Sequence, residues 1–389
     1  MAERLERPSI FVSAGESSGD RYAAWFVEAL RGRLPDAAFF GCAGERLREA
    51  GCEAVVRSES IAVVGLAEVL GEVPRVWRQY RRAVSEALAR RPQLAVLVDA
   101  PDFNLRLARH LRRAGIPVLY LVAPQVWAWR PWRVRQIRRR VDRLLCIFPF
   151  EEPWFRQRGV NAEYIGHPLV GRVAPRFSRE AFFARHGLDA QRRLVALLPG
   201  SRRREAAMNL PPMIAAVRRL NAQSIVAAPA ALPLPEVPIP VVRGLTYDAL
   251  AHADLALVAS GTATIETALL GTPMVVVYRV TEPSWLFGRL LVSTPFFSMV
   301  NLVAGRQIVP ELIQDQFTAE RVAVAAARLL ESEAERAAMR ASLKEVACKL
   351  SAVSNPMGVA AERAMALLRV QGSKVQGSKG PRVQGSEDS

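Results

Sequence analysis

Cysteine is scarce in this chain. There are four in 389 residues (Cys42, Cys52, Cys146 and Cys348), and none forms a C-x-x-C pair. That excludes a disulfide framework and a thiolate zinc site, and points to a reduced, cytosolic protein. Histidine is as rare, with four residues far apart in sequence. No D-x-D pair is present to hold a divalent cation against a diphosphate. The reading is therefore no metal and no cofactor. No apolar run reaches the ~18 residues that suggest a membrane span. The opening MAERLERPS lacks the apolar core of a secretory signal. Neither G-x-G-x-x-G nor G-x-x-x-x-G-K-[ST] occurs, so both common nucleotide fingerprints are missing.

What is present is half hydrophobic by composition, with a net charge of +16. The length suggests roughly two domains, each able to bury a core. The charge favours anionic partners: nucleic acid, acidic lipid or phosphorylated substrates.

Continuous apolar runs such as LAVLV and VLYLV read as buried parallel strands. The first half places strands at 10–13, 37–40, 94–98, 118–122, 144–148 and 163–165. Helices lie between, clearest at 75–91 and 103–114. The pattern restarts at RLVALLPGS, with strands at 194–198, 224–228, 241–242, 255–259 and 274–278. Two α/β units in series predict two Rossmann-like, doubly wound domains facing a cleft. The boundary falls near residues 168–177, giving 1–170 and 171–369. The proline-rich stretch 228–240 predicts a loop between two strands. From residue 370 the chain repeats VQGS, which reads as a disordered tail over 370–389.

Ligands of doubly wound sheets bind beyond the carboxyl ends of strands, and polar residues gather there. SAGESSGD (13–20) follows the first strand. Its helix carries Tyr22, Phe26, Leu30 and Arg33 on one face. The turn is either a substrate loop, with Glu16 and Asp20 suited to sugar hydroxyls, or a helix start capped by Ser18 with Asp20 in the first turn. DAPDFN (99–104) follows the LAVLV strand. Asp99 suits a base that takes a proton from a hydroxyl. Asp102, directly before the next helix and after Pro101, suits a cap. Position alone favours that division without closing it.

PGSRRRE and ASGTATIE follow strands in the second half. Ser260, Gly261 and Thr262 open a helix whose amides can cradle a diphosphate. Glu266 lies one turn on, placed for ribose hydroxyls. Ser201 begins a similar turn, and Arg202 adds a guanidinium suited to bidentate phosphate contact. Residues 126–143 hold three tryptophans and seven arginines, a mixture found on membrane-interface and nucleic-acid surfaces. The residues alone leave open a sugar-nucleotide enzyme, including a UDP-sugar epimerase, or a basic nucleic-acid-binding protein.

Taken in order, AGESSGD, GCAGERLREAGCE, AVVGLAEVL, DAPDFNLRLA, VWAWRPWRV, PFEEPWF, GHPL, LLPGSRRRE, ASGTATIETAL, PMVVVYR and NLVAGRQIVPELIQ resemble the lipid-A-disaccharide synthase family over residues 8–365. The resemblance implies the glycosyltransferase-B fold. It also implies an inverting transfer from UDP-2,3-diacylglucosamine to the 6-hydroxyl of 2,3-diacylglucosamine 1-phosphate. It makes Asp99 the general base and puts Arg202 and Asn301 at the UDP site, with Glu266 and the 260–262 turn at the nucleotide-facing helix start. It puts the AGESSGD loop, with Glu16, Ser17 and Ser18, close to the reacting sugars; Asp102 and Ser201 are counted with them as expected substrate contacts. The implied setting is the inner face of the bacterial inner membrane, peripheral to an anionic surface, without nucleic acid and compatible with a homodimer. The proline-rich loop is short for this family.

Overall fold

The computed structural model describes residues 7–60, 69–230, 232–280 and 294–377. It divides into two compact units, Met1–Pro168 with Asn355–Ser389, and Leu169–Ser354.

The first unit is built on seven parallel strands: β1 (Ser9–Ala14), β2 (Ala38–Ala43), β3 (Glu53–Arg57), β4 (Leu94–Val98), β5 (Val118–Leu121), β6 (Arg143–Cys146) and β7 (Ala162–Tyr164). Their order is β3-β2-β1-β4-β5-β6-β7. The central β4 is buried along its whole length, as a strand covered on both faces must be. Helices α1 (Ser17–Arg31), α2 (Glu45–Glu49), α3 (Val69–Arg90) and α4 (Pro101–Arg113) follow β1, β2, β3 and β4. On α1, Tyr22, Phe26 and Leu30 are buried as expected, whereas Arg33 lies beyond the helix end. The second unit holds β8 (Leu194–Leu198), β9 (Gln223–Ala228), β10 (Val241–Arg243), β11 (Leu255–Ala259), β12 (Met274–Tyr278) and β13 (Glu311–Ile313). It is also parallel, in the order β10-β9-β8-β11-β12-β13. Both sheets are the doubly wound type expected.

The two strands absent from the sequence reading, β3 and β13, are both at sheet edges. EAVVR has exposed residues at both ends, and none of ELI is fully buried, so neither shows a buried run. The proline-rich stretch does link β9 to β10. Leu232 anchors it against Ala206 and Ala228.

The carboxyl-terminal boundary needs correction. Helix Pro356–Gly377 belongs to the first unit, not the second. Met357, Ala360, Ala361, Ala364 and Leu368 are buried, a stripe at helical spacing, and the helix packs on α1. Arg363 adds a forked pair to Glu163 at 2.6–2.9 Å. Nor is the tail irregular from residue 370, since helix continues to Gly377. Extending an existing helix avoids the nucleation cost that an isolated segment faces. Residues 378–389, the rest of the expected tail, lie outside the described residues. So do residues 62–68 of the AVVGLAEVL stretch.

Candidate active site

Each sheet reverses its order once, between β1 and β4 in the first unit and between β8 and β11 in the second. Such reversals open a crevice at the carboxyl ends of the flanking strands. The four strand ends concerned carry AGESSGD, DAPDFN, PGSRRRE and SGTATIE. The sequence motifs therefore pair by unit.

In the first unit the two loops touch. A Cβ on Gly15 would sit 2.5 Å from that of Ala100, and one on Gly19 would sit 3.5 Å from that of Asp99. Glycine at 15 is thus a packing requirement. Glu16 takes the N-cap position of α1, with no side-chain cap. This corrects the expectation that Ser18 is the cap. Glu16 and Ser17 are exposed beside Asp99's loop, and Ser18 is half-buried. Asp20 is engaged with backbone. Its carboxylate accepts from the backbone N–H groups of Gly44 at 2.7 Å, Arg46 at 2.9 Å and Leu47 at 3.4 Å, capping α2. Burial raises its pKa against these three donors.

Asp99 leaves β4 at φ +50°, and Ala100 follows at +44°. Two successive non-glycine residues in the left-handed region cost of order 1–3 kcal/mol each and persist only when their surroundings fix them. The surroundings do so. The Asp99 carbonyl accepts from Asn104 Nδ2 at 2.8 Å and from the Tyr120 hydroxyl at 2.6 Å. Asn104 Nδ2 also reaches Val98 O at 3.1 Å, and its Oδ1 accepts from Ser13 Oγ at 2.7 Å. Ser13, Asn104 and Tyr120 are fully buried. Burial and the nearby charge of Asp99 hold the Tyr120 phenol well above its usual range, so it stays a donor.

Asp102 is not a cap. Ala100 holds the N-cap position of α4, and the Asp102 carboxylate pairs with Arg130 at 3.3 Å and with Arg133. The Trp/Arg stretch is less uniform than its composition suggests. Trp127 is buried, its indole N–H donating to Glu151 at 3.1 Å. Trp129 carries the Arg130 guanidinium 3.8 Å above its ring. Of the three, Trp132 stands out, 56% exposed. Glu151 is fully buried. Desolvation pushes its pKa up to about 8 against donors from Trp127, Phe148 and Ile147.

In the second unit, helix Thr262–Leu269 starts at Gly261 (φ +147°) with no side-chain cap. The space where a Gly261 Cβ would point is open, as a phosphate approach requires. Ser260 turns its hydroxyl to Phe297 O at 3.1 Å, and Thr262 is half-buried. Glu266 accepts from Tyr247 Oη at 3.1 Å. The other turn differs from expectation. Glu205 folds back beneath PGSR, and its carboxylate accepts from Ser201 N at 3.3 Å. Burial raises its pKa, while Arg202 and the turn's amides draw it down. That is the return half of a capping box, so these amides are already engaged. Arg202 itself is exposed at the N-cap of helix Arg203–Val217. Asn301, expected at the UDP site, is held internally. It is fully buried, and its amide is consumed internally. Oδ1 accepts from Ile308 N at 2.8 Å and Val309 N at 3.1 Å, while Nδ2 donates to Val309 O at 3.1 Å and Glu311 at 2.7 Å. With two lone pairs and two protons engaged, it pins residues 308–311.

Among the described residues, no three His, Cys, Asp or Glu side chains are grouped to hold a metal ion. None of the described helices is long and apolar enough to cross a membrane. Sequence reasoning missed Tyr120, Glu151 and the roles of Asn104 and Asn209. The last is buried and donates to Pro199 O at 2.9 Å beneath the PGSR turn. For the two asparagines, the available signal was a polar residue among the apolar positions of the helix that each loop opens.

A family model described as lipid-A-disaccharide synthetase matches residues 10–362. A lipid-A-disaccharide synthase of Solibacter usitatus is 53% identical over 91% of this chain and 96% of its own length. One of Acidobacterium capsulatum is 44% identical over 88% and 92%. Among solved structures, the calicheamicin glycosyltransferase CalG4 superposes with a TM-score of 0.62 at 15% identity, over 94% of this chain and 99% of that one.

Proposed function

The chain belongs to the lipid-A-disaccharide synthetase family, and on that footing we infer how its residues carry out the family's sugar transfer. It is a glycosyltransferase of the glycosyltransferase-B fold. Its donor is UDP-2,3-diacylglucosamine and its acceptor 2,3-diacylglucosamine 1-phosphate. Family membership also closes the epimerase and nucleic-acid readings.

Asp99 is the general base. The acceptor's 6-hydroxyl is a poor nucleophile until its proton begins to leave. The Asp99 carboxylate takes that proton as O6 forms its bond to the donor's C1. The C1–O bond breaks with its electron pair going to UDP. One such in-line displacement inverts the anomeric centre. The observation that carries this assignment is the left-handed Asp99–Ala100 pair at the β1/β4 reversal, held by three buried side chains. Backbone strain fixed this firmly belongs where a side chain must be aimed. Glu16 and Ser17, exposed on the adjoining loop, contact the acceptor sugar.

UDP binds the second unit at the uncapped start of helix Thr262–Leu269. The amides there and the Arg202 guanidinium take the diphosphate, and Glu266 takes the ribose. Charge neutralisation by amides and arginine replaces a metal. The enzyme works on the membrane's inner face, held at an anionic surface by Trp132 and the arginines around it.

The test is release of UDP together with a disaccharide 1-phosphate of the summed acyl-sugar mass. Turnover should be undiminished by EDTA. UDP release without disaccharide would contradict the assignment.

A further inference from the structure

A groove of about 410 Å³ opens beside Asp102, wholly within the first unit. One wall is aromatic. Trp77 is 51% exposed and stacks on Tyr80, ring centres 5.3 Å apart, both from α3. The other wall is cationic, with Arg106 and Arg109 from α4 and Arg133 and Arg140 from the segment after β5. The one carboxylate in the lining is Asp102, already engaged by Arg130 and Arg133. Arg140 spends its guanidinium on Leu105 O at 2.8 Å and Gln136 at 3.3 Å. Burial, and then the neighbouring Arg109, Arg113 and Arg139, depress its pKa. Arg106 and Arg109 form no ion pair among the described residues.

We propose that this groove is the phosphomonoester subsite for the acceptor, in which Arg106 and Arg109 grip the 1-phosphate while Trp77 lies against the sugar or its first acyl carbons. The proposal rests on the functional reading above. Three features of the groove support it.

The first is position. Asp102, Leu105, Arg106 and Arg109 follow one face of α4, whose first residue comes two after Asp99. At ~1.5 Å per residue, Arg106 and Arg109 lie roughly 6 and 10 Å along the axis from Asp102. A hexosamine with its 6-hydroxyl at Asp99 would extend its 1-phosphate over a comparable distance. The second is charge. Four guanidinium groups against one committed carboxylate make a field that a dianion would relieve. The third is chemistry. Guanidinium groups fork onto phosphate oxygens, and an exposed indole offers a flat apolar face for a sugar. A bulk membrane surface needs neither a walled groove nor a match in length to the reacting hydroxyl.

The full-length enzyme is assayed with the acceptor in mixed detergent micelles. Arg106→Gln and Arg109→Gln should each raise the acceptor KM about ten-fold or more, as loss of a charged hydrogen bond does. The donor KM and kcat should change little. Arg106→Lys, which keeps the charge without the fork, should recover part of the loss. An acceptor lacking the 1-phosphate separates the sources of the effect. Wild type should use it poorly, and the Gln variants should be no worse than wild type on it. Both arginines are exposed, so melting temperatures should stay near wild type. The proposal is overturned if acceptor KM is unchanged, or if the penalty is equal on the dephosphorylated acceptor. It is overturned too if the variants lose only their sedimentation with phosphatidylglycerol vesicles, because the groove would then serve membrane headgroups. If wild type makes no disaccharide from either acceptor, the functional reading itself fails and the subsite falls with it.

Discussion

The side-chain amide of Asn104 donates to the backbone carbonyl of Asp99 at 2.8 Å, from within the helix that Asp99 precedes. The same amide reaches Val98 O, and its oxygen accepts from Ser13. One side chain thus joins the ends of β1 and β4 to the first turn of α4. Asn104→Ala leaves buried carbonyls unpaired, at about 1–3 kcal/mol each for what water cannot reach. It also releases the left-handed pair. We expect a folded protein with a lowered melting temperature and a kcat reduced ten-fold or more, measured where circular dichroism shows it native. A native Asn104→Ala enzyme with wild-type kcat would mean that something else aims Asp99.

Glu151 gives a pH signature. Its carboxyl, near 4.5 when unfolded, is pushed up to about 8 by burial. Between those values the native state keeps a proton that the unfolded state has lost. Stability therefore falls as pH rises through roughly 5 to 8, by at most about 1.4 kcal/mol per unit from this group. Above about 8 its contribution is level. Glu151→Gln cannot titrate, so the fall should be shallower whatever its absolute stability. Urea unfolding at pH 5.5, 7 and 8.5 measures the slopes, and equal slopes would refute the assignment.

The proposed membrane contact at Trp132 is tested by substitution. Trp132→Ser should reduce sedimentation with anionic vesicles several-fold and leave UDP affinity unchanged, since indole favours the interface and this one is exposed. Trp127→Ser should instead destabilise, because it empties a buried site and strips Glu151 of a donor. Equal sedimentation of wild type and Trp132→Ser would place the contact elsewhere.

Strands such as LAVLV and LALVA were legible because burial on both faces demands an unbroken apolar run. The edge strands β3 and β13 face no such demand, and their short mixed sequences gave no signal. The four site loops were legible for a related reason: polar residues directly after buried strands have few structural explanations. Which atoms they present was not. Asp20 reads as a site acid, yet its carboxylate is drawn to backbone amides, and so is that of Glu205. Asn301 was carried over by resemblance, and only its four internal hydrogen bonds reveal an anchor. The final helix follows the same logic. Its alanine stripe says that it packs, but not on which unit.

Truncation after Arg369 removes the last turns of that helix and the exposed bond from Gln371 to Gly115 O at 3.2 Å. Among the residues whose burial is described, Leu368 is the last buried one, so little should be lost. We expect a melting temperature within a few degrees of wild type, from less than about 1 kcal/mol. A much larger drop would show that residues beyond 369 dock somewhere that matters.

The central claim is that Asp99 takes the acceptor's proton. Asp99→Asn keeps the size and the backbone bonds to Asn104 and Tyr120, but cannot act as a base. Single-turnover transfer, with both substrates saturating and UDP binding measured in parallel, tests this most directly. The account predicts a rate lower by roughly 10²–10⁴ with UDP affinity little changed. It also predicts that Asp102→Asn, which only loosens Arg130 and Arg133, stays within about ten-fold of wild type. An Asp99→Asn enzyme turning over within a few-fold of wild type, beside a folded but inactive Asp102→Asn, would contradict it.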